Sequence, residues 1–299
     1  MQLLLDPKLD VVFKLLFARD HPDSRQALIG LLTAVLRPSA PLLSVEVLNP
    51  EIGKEAVDDK GIVLDIRALL ADGTITNVEM QARNVAPFRR RFLYYWARAF
   101  SQQLSPGDGY TALRPTISVA LLSYREPKNS RFHSVFRVLE AHDHTLYGDA
   151  LELHLVQLPR LAELTEADRV GDAALLPWTK FFAARSAEEL DEASMDDPAV
   201  SKARDILHRL SADPDARRMA EERERAQITR VLEDSALRDE GREEGRQEGR
   251  LQGLREAIVD LCDLAGIALD AERRYRLETS GVDALVALKR HVKLHRSWP

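Results

Sequence analysis

The chain has 299 residues, 45% of them apolar and 30% charged, with a net charge of -6. That is enough apolar material for a real core, and it excludes a protein that is basic throughout, so any anion-binding surface has to be local. A single cysteine, Cys262, excludes an internal disulfide and argues against structural zinc, and no apolar run reaches the roughly 18 residues of a membrane span.

Met1 to Leu5 does not read as a signal peptide, so a reducing, cytoplasmic setting and no membrane contact are expected. Val11 to Phe17 and Ser24 to Leu36 are predicted helices. In the second, Leu28, Leu31, Leu32, Val35 and Leu36 recur at helical spacing, with Ser24 as N-cap and Pro38 as stop. Leu43 to Leu48 leans towards β. Ile62 to Leu70 and Ile75 to Ala82 read as strands around Asp72-Gly73. Ala86 to Leu104 is helical, with Phe88, Phe92, Tyr95 and Phe100 on one broad side. Gly107 to Tyr110 is a turn. Pro115 to Tyr124 is nearly all apolar, as a strand buried on both faces requires. Leu151 to Leu158 is a further strand. The order α, β, β, β, α, β plus one more β fits a mixed α/β sandwich.

Beyond residue 200 strand signals stop and charge rises. Pro198 and Asp213-Pro214 punctuate this zone, and Met219 to Leu237 reads as one exposed helix. Gly241, Gly245, Gly249 and Gly253 then recur every fourth position, with Arg238, Arg242, Arg246 and Arg250 in a parallel row. Four interior glycines cost a helix roughly 3–4 kcal/mol relative to alanine, and a like-charge row adds to that. The segment is either a flexible tether or a helix whose bare stripe admits a partner backbone. Its charge excludes a membrane GxxxG helix. Leu254 to Val292 reads as three short helices, with Ile258, Leu261, Leu264, Leu285, Leu288 and Val292 as apolar faces and Cys262 as a buried thiol. The expected organisation is therefore a domain over 1–160, a connecting segment over 161–200, a charged glycine-bearing helix over 201–253 and a helical assembly module over 254–299.

The stretch Ile62 to Ala82 carries the chemistry. If Ala71-Asp72-Gly73 is a three-residue loop with Gly73 left-handed, Leu70 faces Thr74, Ile66 faces Val78, Ala68 faces Thr76 and Asp65 faces Glu79. A slip of one residue would mix apolar and polar faces. Two opposed carboxylates repel. Either a divalent cation offsets this, with hard oxygen ligands favouring Mg²⁺, or the pair is a solvated edge balanced by Arg67.

An aspartate, a hairpin and then Glu-x-Lys on the next strand is the pattern of the PD-(D/E)XK nuclease superfamily, and here it reads Asp65, then Glu79-Met80-Gln81. More narrowly, the chain resembles the recombination-promoting nuclease and transposase family. The resemblance rests on Asp10 to Lys14, Leu64-Asp65, Val78 to Gln81, Arg91 with Tyr94-Tyr95, and Gly107 to Tyr110 followed by Pro115 to Val119. These pieces span about residues 5 to 125 in order, and the glycine-arginine-glutamate repeat looks like tails of that family. The resemblance implies a restriction-endonuclease-like αβββαβ core and a Mg²⁺-dependent DNA endonuclease, with Mn²⁺ as substitute ion, acting in recombination, mobile DNA or phage defence. It implies Asp65 and Glu79 as metal ligands, the Met80 carbonyl as a third, and Gln81 in the place of the catalytic lysine. Gln81 departs from the pattern, since an amide carries no charge; Lys60 or Arg83 are candidates to supply it.

Arg89, Arg90 and Arg91 open the helix after the hairpin, a poor place for cations. They read either as phosphate contacts or as solvated surface with an internal salt bridge. Tyr94, Tyr95 and Trp96 are candidates to stack on bases, with core packing expected for at least one. Asp10 and Lys14 are accessory candidates, or a simple i,i+4 pair. His142-Asp143-His144 reads as a polar loop rather than a second metal site. The partners implied are DNA and, through the C-terminal helices, further copies of the chain. The rival reading is a binding or assembly protein that retains the fold without the catalysis.

Overall fold

The computed structural model describes residues 4–48, 66–83 and 87–299. The first helix is Asp10–Phe17 (α1) and the second is Pro22–Leu36 (α2). The expected N-cap, Ser24, does not cap α2. Pro22, with its preset φ and missing N–H, starts the helix two residues earlier, and His21 Nδ1 accepts from the Asp23 amide at 3.2 Å. Ser24 is buried in the first turn. Arg37 ends α2 in the left-handed region, one residue before Pro38.

Strands Val45–Val47 (β1), Ile66–Leu70 (β2) and Ile75–Gln81 (β3) form an antiparallel meander. Helix Phe88–Ser101 (α3) follows, then strand Thr116–Leu122 (β4), His133–Arg137 (β5) and Leu151–Gln157 (β6). The sheet order is β1-β2-β3-β4-β6-β5, with β4 parallel to both β3 and β6 and β5 antiparallel on the edge. β4 lies between two parallel neighbours, which explains its unbroken apolar run. The sequence reading assigned no strand at β5, whose ends are His133 and Arg137. The His142–His144 segment is an exposed turn in which Glu140 binds His142.

Glu166–Gly171 (α4), Leu175–Ala183 (α5), Ala187–Ala193 (α6) and Pro198–Ala212 (α7) complete the first layer, and Pro214–Ala265 (α8) begins beyond it. Residues 161–200 do more than connect. Trp178, Phe181 and Phe182 of α5 are buried in the main core, where Phe182 and Trp178 stack against Phe13 and Phe17 of α1. That core lies between α1, α2, α5 and α7 and one face of the sheet, represented by Ile66, Ala68, Val78, Met80, Val119, Leu121 and Val156. The opposite face is covered by α3, whose Phe88 and Phe92 pack on Ala120, Leu122 and Leu155.

α2 and α7 approach closely at Gly30, where a Cβ would lie 2.1 Å from the Ala199 Cβ. The chain start is tied to much later segments. The Leu5 amide donates to Ser211 Oγ at 3.0 Å, Lys8 Nζ donates to the Phe182 carbonyl at 2.8 Å, and Arg223 clamps the Asp10 carboxylate.

The far edge of the sheet is fastened by a line of buried polar groups. His133 Nδ1 lies 2.8 Å from Asp172 Oδ1 and 3.0 Å from Arg37 Nη2, His133 Nε2 lies 2.9 Å from His154 Nδ1, and His154 Nε2 lies 2.6 Å from Glu152 Oε1. Arg37 pairs with Asp172 and Arg137 with Glu152 at the two ends.

The chain divides into two compact units, Met1–Glu224 and Arg225–Pro299. In the second unit the expected first short helix is the end of α8, and only Ala271–Thr279 (α9) and Val282–His295 (α10) are separate. Ile258 and Cys262 pack with Leu277, Leu285, Leu288 and Val292. Burial raises the Cys262 thiol pKa. Leu264 is not part of that face; it is 84% exposed, since 258, 261, 262 and 265 rather than 264 share one helix side. The four glycines of the repeat lie within α8. No described helix is long and apolar enough to cross a membrane.

Candidate active site

The hairpin adopts the register that its residues dictate. Ile66 pairs with Val78, Arg67 with Asn77, Ala68 with Thr76 and Leu69 with Ile75. Gly73 takes φ +88°, the Gly73 amide donates to the Leu70 carbonyl at 2.9 Å, and the Thr74 amide donates to Asp72 Oδ1 at 2.9 Å. Alternation along β3 then divides its side chains. Val78 and Met80 enter the main core, whereas Asn77, Glu79 and Gln81 lie on the α3 side. Asp65 and Lys60 lie outside the described residues.

Glu79 is 2% exposed, a carboxylate held inside the sheet layer. Gln81 Nε2 donates to Glu79 Oε2 at 3.1 Å, and Arg91 Nη2 donates to Gln81 Oε1 at 2.9 Å. The orientation of the amide follows from its neighbours, since a guanidinium only donates and a carboxylate only accepts. The site thus has a positive charge after all. It sits on α3 and reaches Glu79 through a neutral relay.

Two residues that the sequence reading passed over complete the surroundings. The Arg89 guanidinium grips Glu126 with two bonds, Nε to Oε1 at 3.2 Å and Nη2 to Oε2 at 2.6 Å. Tyr124 follows β4 and packs edge-on against Phe88, with centroids 6.3 Å apart. Burial pushes its phenol up to about 12; the Arg91 charge opposes that shift, and Glu126 and Glu79 add to it. Alternation from Ala120 through Leu122 was the available signal for Tyr124, because it places 124 on the Glu79 side.

The three arginines therefore have separate situations. Arg89 is engaged by Glu126, Arg91 serves Gln81, and Arg90 is exposed. Tyr94 is 43% exposed, Tyr95 is buried, and Trp96 Nε1 donates to the Thr116 carbonyl at 2.8 Å. Asp10 does not meet Lys14 as an i,i+4 pair in the way expected; its carboxylate is gripped by Arg223 at 2.6 and 2.9 Å. Lys14 is half-buried in the last turn of α1, and Arg83 is exposed.

The sheet order, with a β1-β2-β3 meander feeding a parallel β4 and Glu79 at its centre, is now in place. The family described as PD-(D/E)XK nuclease family transposase matches residues 7–233. The chain belongs to this family. No curated protein and no solved structure matches the chain. The PD-(D/E)XK nuclease family transposase match takes in the whole sheet and α1 to α7, and it ends in α8 before the glycine repeat. Membership makes the domain nuclease-like.

Proposed function

We propose that this member of the family is a metal-dependent DNA endonuclease, with Asp65, Glu79 and the Met80 carbonyl as ligands of a Mg²⁺ or Mn²⁺ ion. The observation that carries the reading is the Arg91–Gln81–Glu79 relay, which orients a buried carboxylate on β3, where the resemblance puts the second acid of the motif. Such a carboxylate is costly in an apolar layer without compensation. Its hard oxygen atoms suit Mg²⁺. Among the described residues no group of three or more His, Cys, Asp or Glu is placed to hold a metal ion. The other ligands in this reading are Asp65, by the resemblance, and the main chain at Met80.

When bound, a divalent ion supplies Lewis-acid polarisation of a phosphodiester. The chain's own residues do the rest. Gln81 holds one oxygen of Glu79 so that the other faces the ion site. Its amide also takes the position of the superfamily lysine beside the attacking water. Arg91 keeps the amide in that orientation and places positive charge close to the bound phosphate. Arg90 and Tyr94, exposed on the same helix, contact the DNA backbone and a base. Asp10, Lys14, Lys60 and Arg83 are left as accessory positions. The 225–299 unit links copies of the chain through its helices.

The test is plasmid nicking with Mg²⁺, with and without EDTA, for wild type, Asp65→Ala and Glu79→Ala. Metal-dependent nicking by the wild type alone is expected. Equal nicking by all three proteins refutes the site. Gln81 and the net charge of -6 favour one second reading, a DNA-binding or assembly protein that keeps the fold without the catalysis. It predicts duplex binding, no nicking with any divalent ion, and no heat of Mg²⁺ or Mn²⁺ binding by calorimetry.

A further inference from the structure

Tyr124 is a group beside Glu79 that the proposed chemistry does not use. The Ser123 amide donates to the Gln81 carbonyl at 2.9 Å, so β4 still runs beside β3 just past its last strand residue. Tyr124 therefore shares the side of Ala120 and Leu122, under α3 and beside the C-terminal ends of two parallel strands. In open α/β sheets this is where ligands bind. Its ring is fixed against Phe88. Its hydroxyl is buried and makes no hydrogen bond among the described residues. The charges of Arg91, Glu126 and Glu79 all act on it.

A buried hydroxyl without an acceptor is destabilising, and phenylalanine would fill the same space without that cost. The hydroxyl is thus a donor kept ready for something that arrives. The arriving group has to be an acceptor, and it has to tolerate the carboxylates of Glu79 and Glu126 by leaning on Arg91. An anionic, non-bridging oxygen of a nucleic-acid phosphate meets both conditions. We propose that Tyr124 is a substrate-contacting residue whose hydroxyl donates a hydrogen bond to a backbone phosphate of DNA seated between Arg91 and Glu79. The inference rests on the nuclease reading above.

The test compares wild type with Tyr124→Phe in binding a short fluorescent duplex in EDTA, followed by anisotropy. A second duplex carries uncharged methylphosphonates at its central linkages. Melting temperatures and plasmid nicking with Mg²⁺ are measured alongside. Loss of one charge-assisted hydrogen bond weakens binding of the phosphate duplex by roughly tenfold or more. The penalty shrinks on the methylphosphonate duplex, whose neutral phosphoryl oxygen accepts only an ordinary hydrogen bond, and Tyr124→Phe melts no lower than wild type. A merely structural tyrosine would give the opposite pattern, a lower melting temperature and the same penalty on both duplexes, and that overturns the inference. So does unchanged binding by Tyr124→Phe while the wild type binds and nicks, which leaves the nuclease reading intact. A wild type that neither binds nor nicks overturns both.

Discussion

Gly30→Ala sets two effects of opposite sign against each other. Gly30 lies inside α2, where alanine is favoured by about 1 kcal/mol on helix propensity. The added Cβ, however, would come within 2.1 Å of the Ala199 Cβ and 3.2 Å of Trp178 Cζ2. Carbon atoms in contact need roughly 3.5–4.0 Å, so the first of these is short by well over an ångström. Neither neighbour yields easily. Ala199 sits in the first turn of α7, where Asp197 Oδ1 accepts from its amide at 2.8 Å, and the Trp178 ring is buried among the core aromatics. Overpacking of this kind costs about 1–3 kcal/mol, and a clash between two helix backbones belongs at the upper end. A net loss of about 1–2 kcal/mol is expected once propensity is subtracted. Ala199→Gly removes the opposing Cβ and leaves the Ala199 Cα at 3.6 Å, an ordinary contact. The double variant should therefore be more stable than Gly30→Ala alone, a positive coupling in a double-mutant cycle. Urea unfolding of the four proteins measures it. A Gly30→Ala protein as stable as wild type, or no recovery in the double variant, refutes the packing argument.

Arg91→Met keeps the apolar stem but removes the charge behind Gln81. Nicking is expected to fall roughly tenfold to a hundredfold, the value of one charge-assisted bond, with little change in melting temperature. Adding Gln81→Lys should recover part of the loss by placing an ammonium directly beside Glu79; no recovery would argue against the relay. In the edge network, the His154 hydrogen bond and then Arg137 hold Glu152 down at about 2, so its contribution is complete above 4.5 and is lost as pH falls through about 2. Burial lowers His154, so the unfolded chain takes up a proton at 6.5 before the folded one does, and stability falls as pH drops below 6.5. Thermal unfolding between pH 6.5 and pH 4.5 should show a smaller decline for His154→Gln than for wild type; an equal decline removes His154 from the account. A chain ending at Glu224 should fold, because the main core lies wholly before that residue, and light scattering should show it as a monomer. A chain ending at Ser201 should unfold, because it loses Ile206, Leu207 and Leu210 from that core.

The hairpin was legible in the sequence because local rules agree there. Period-two alternation over Ile66 to Gln81 and the left-handed Gly73 select one register, and the structure has it. The same alternation separates Glu79 and Gln81 from Val78 and Met80. β4 was legible because parallel neighbours demand apolar residues on both faces. What was hidden depends on partners distant in sequence. β5 has polar ends and no clear alternation, and its anchors, His154 and Asp172, lie 21 and 39 residues from His133. Trp178, Phe181 and Phe182 occupy a short helix with Pro177 in its first turn, too brief to show a period. Arg91 looks like a surface cation until the strand beneath α3 presents Gln81 to it.

The ties between the two ends of the first unit bear on how the protein is made. The apolar sides of α1 and α2 leave the ribosome early, yet α5 and α7, which cover them, are translated more than 130 residues later, and Arg223 comes 213 residues after Asp10. At bacterial or eukaryotic elongation speeds the interval is roughly ten to forty seconds. Throughout it the nascent chain carries an open, sticky surface. Completion of the fold is therefore an event of the last stretch of this unit to be synthesised, and a messenger truncated before α7 yields a product suited to chaperones and proteases rather than a smaller folded protein.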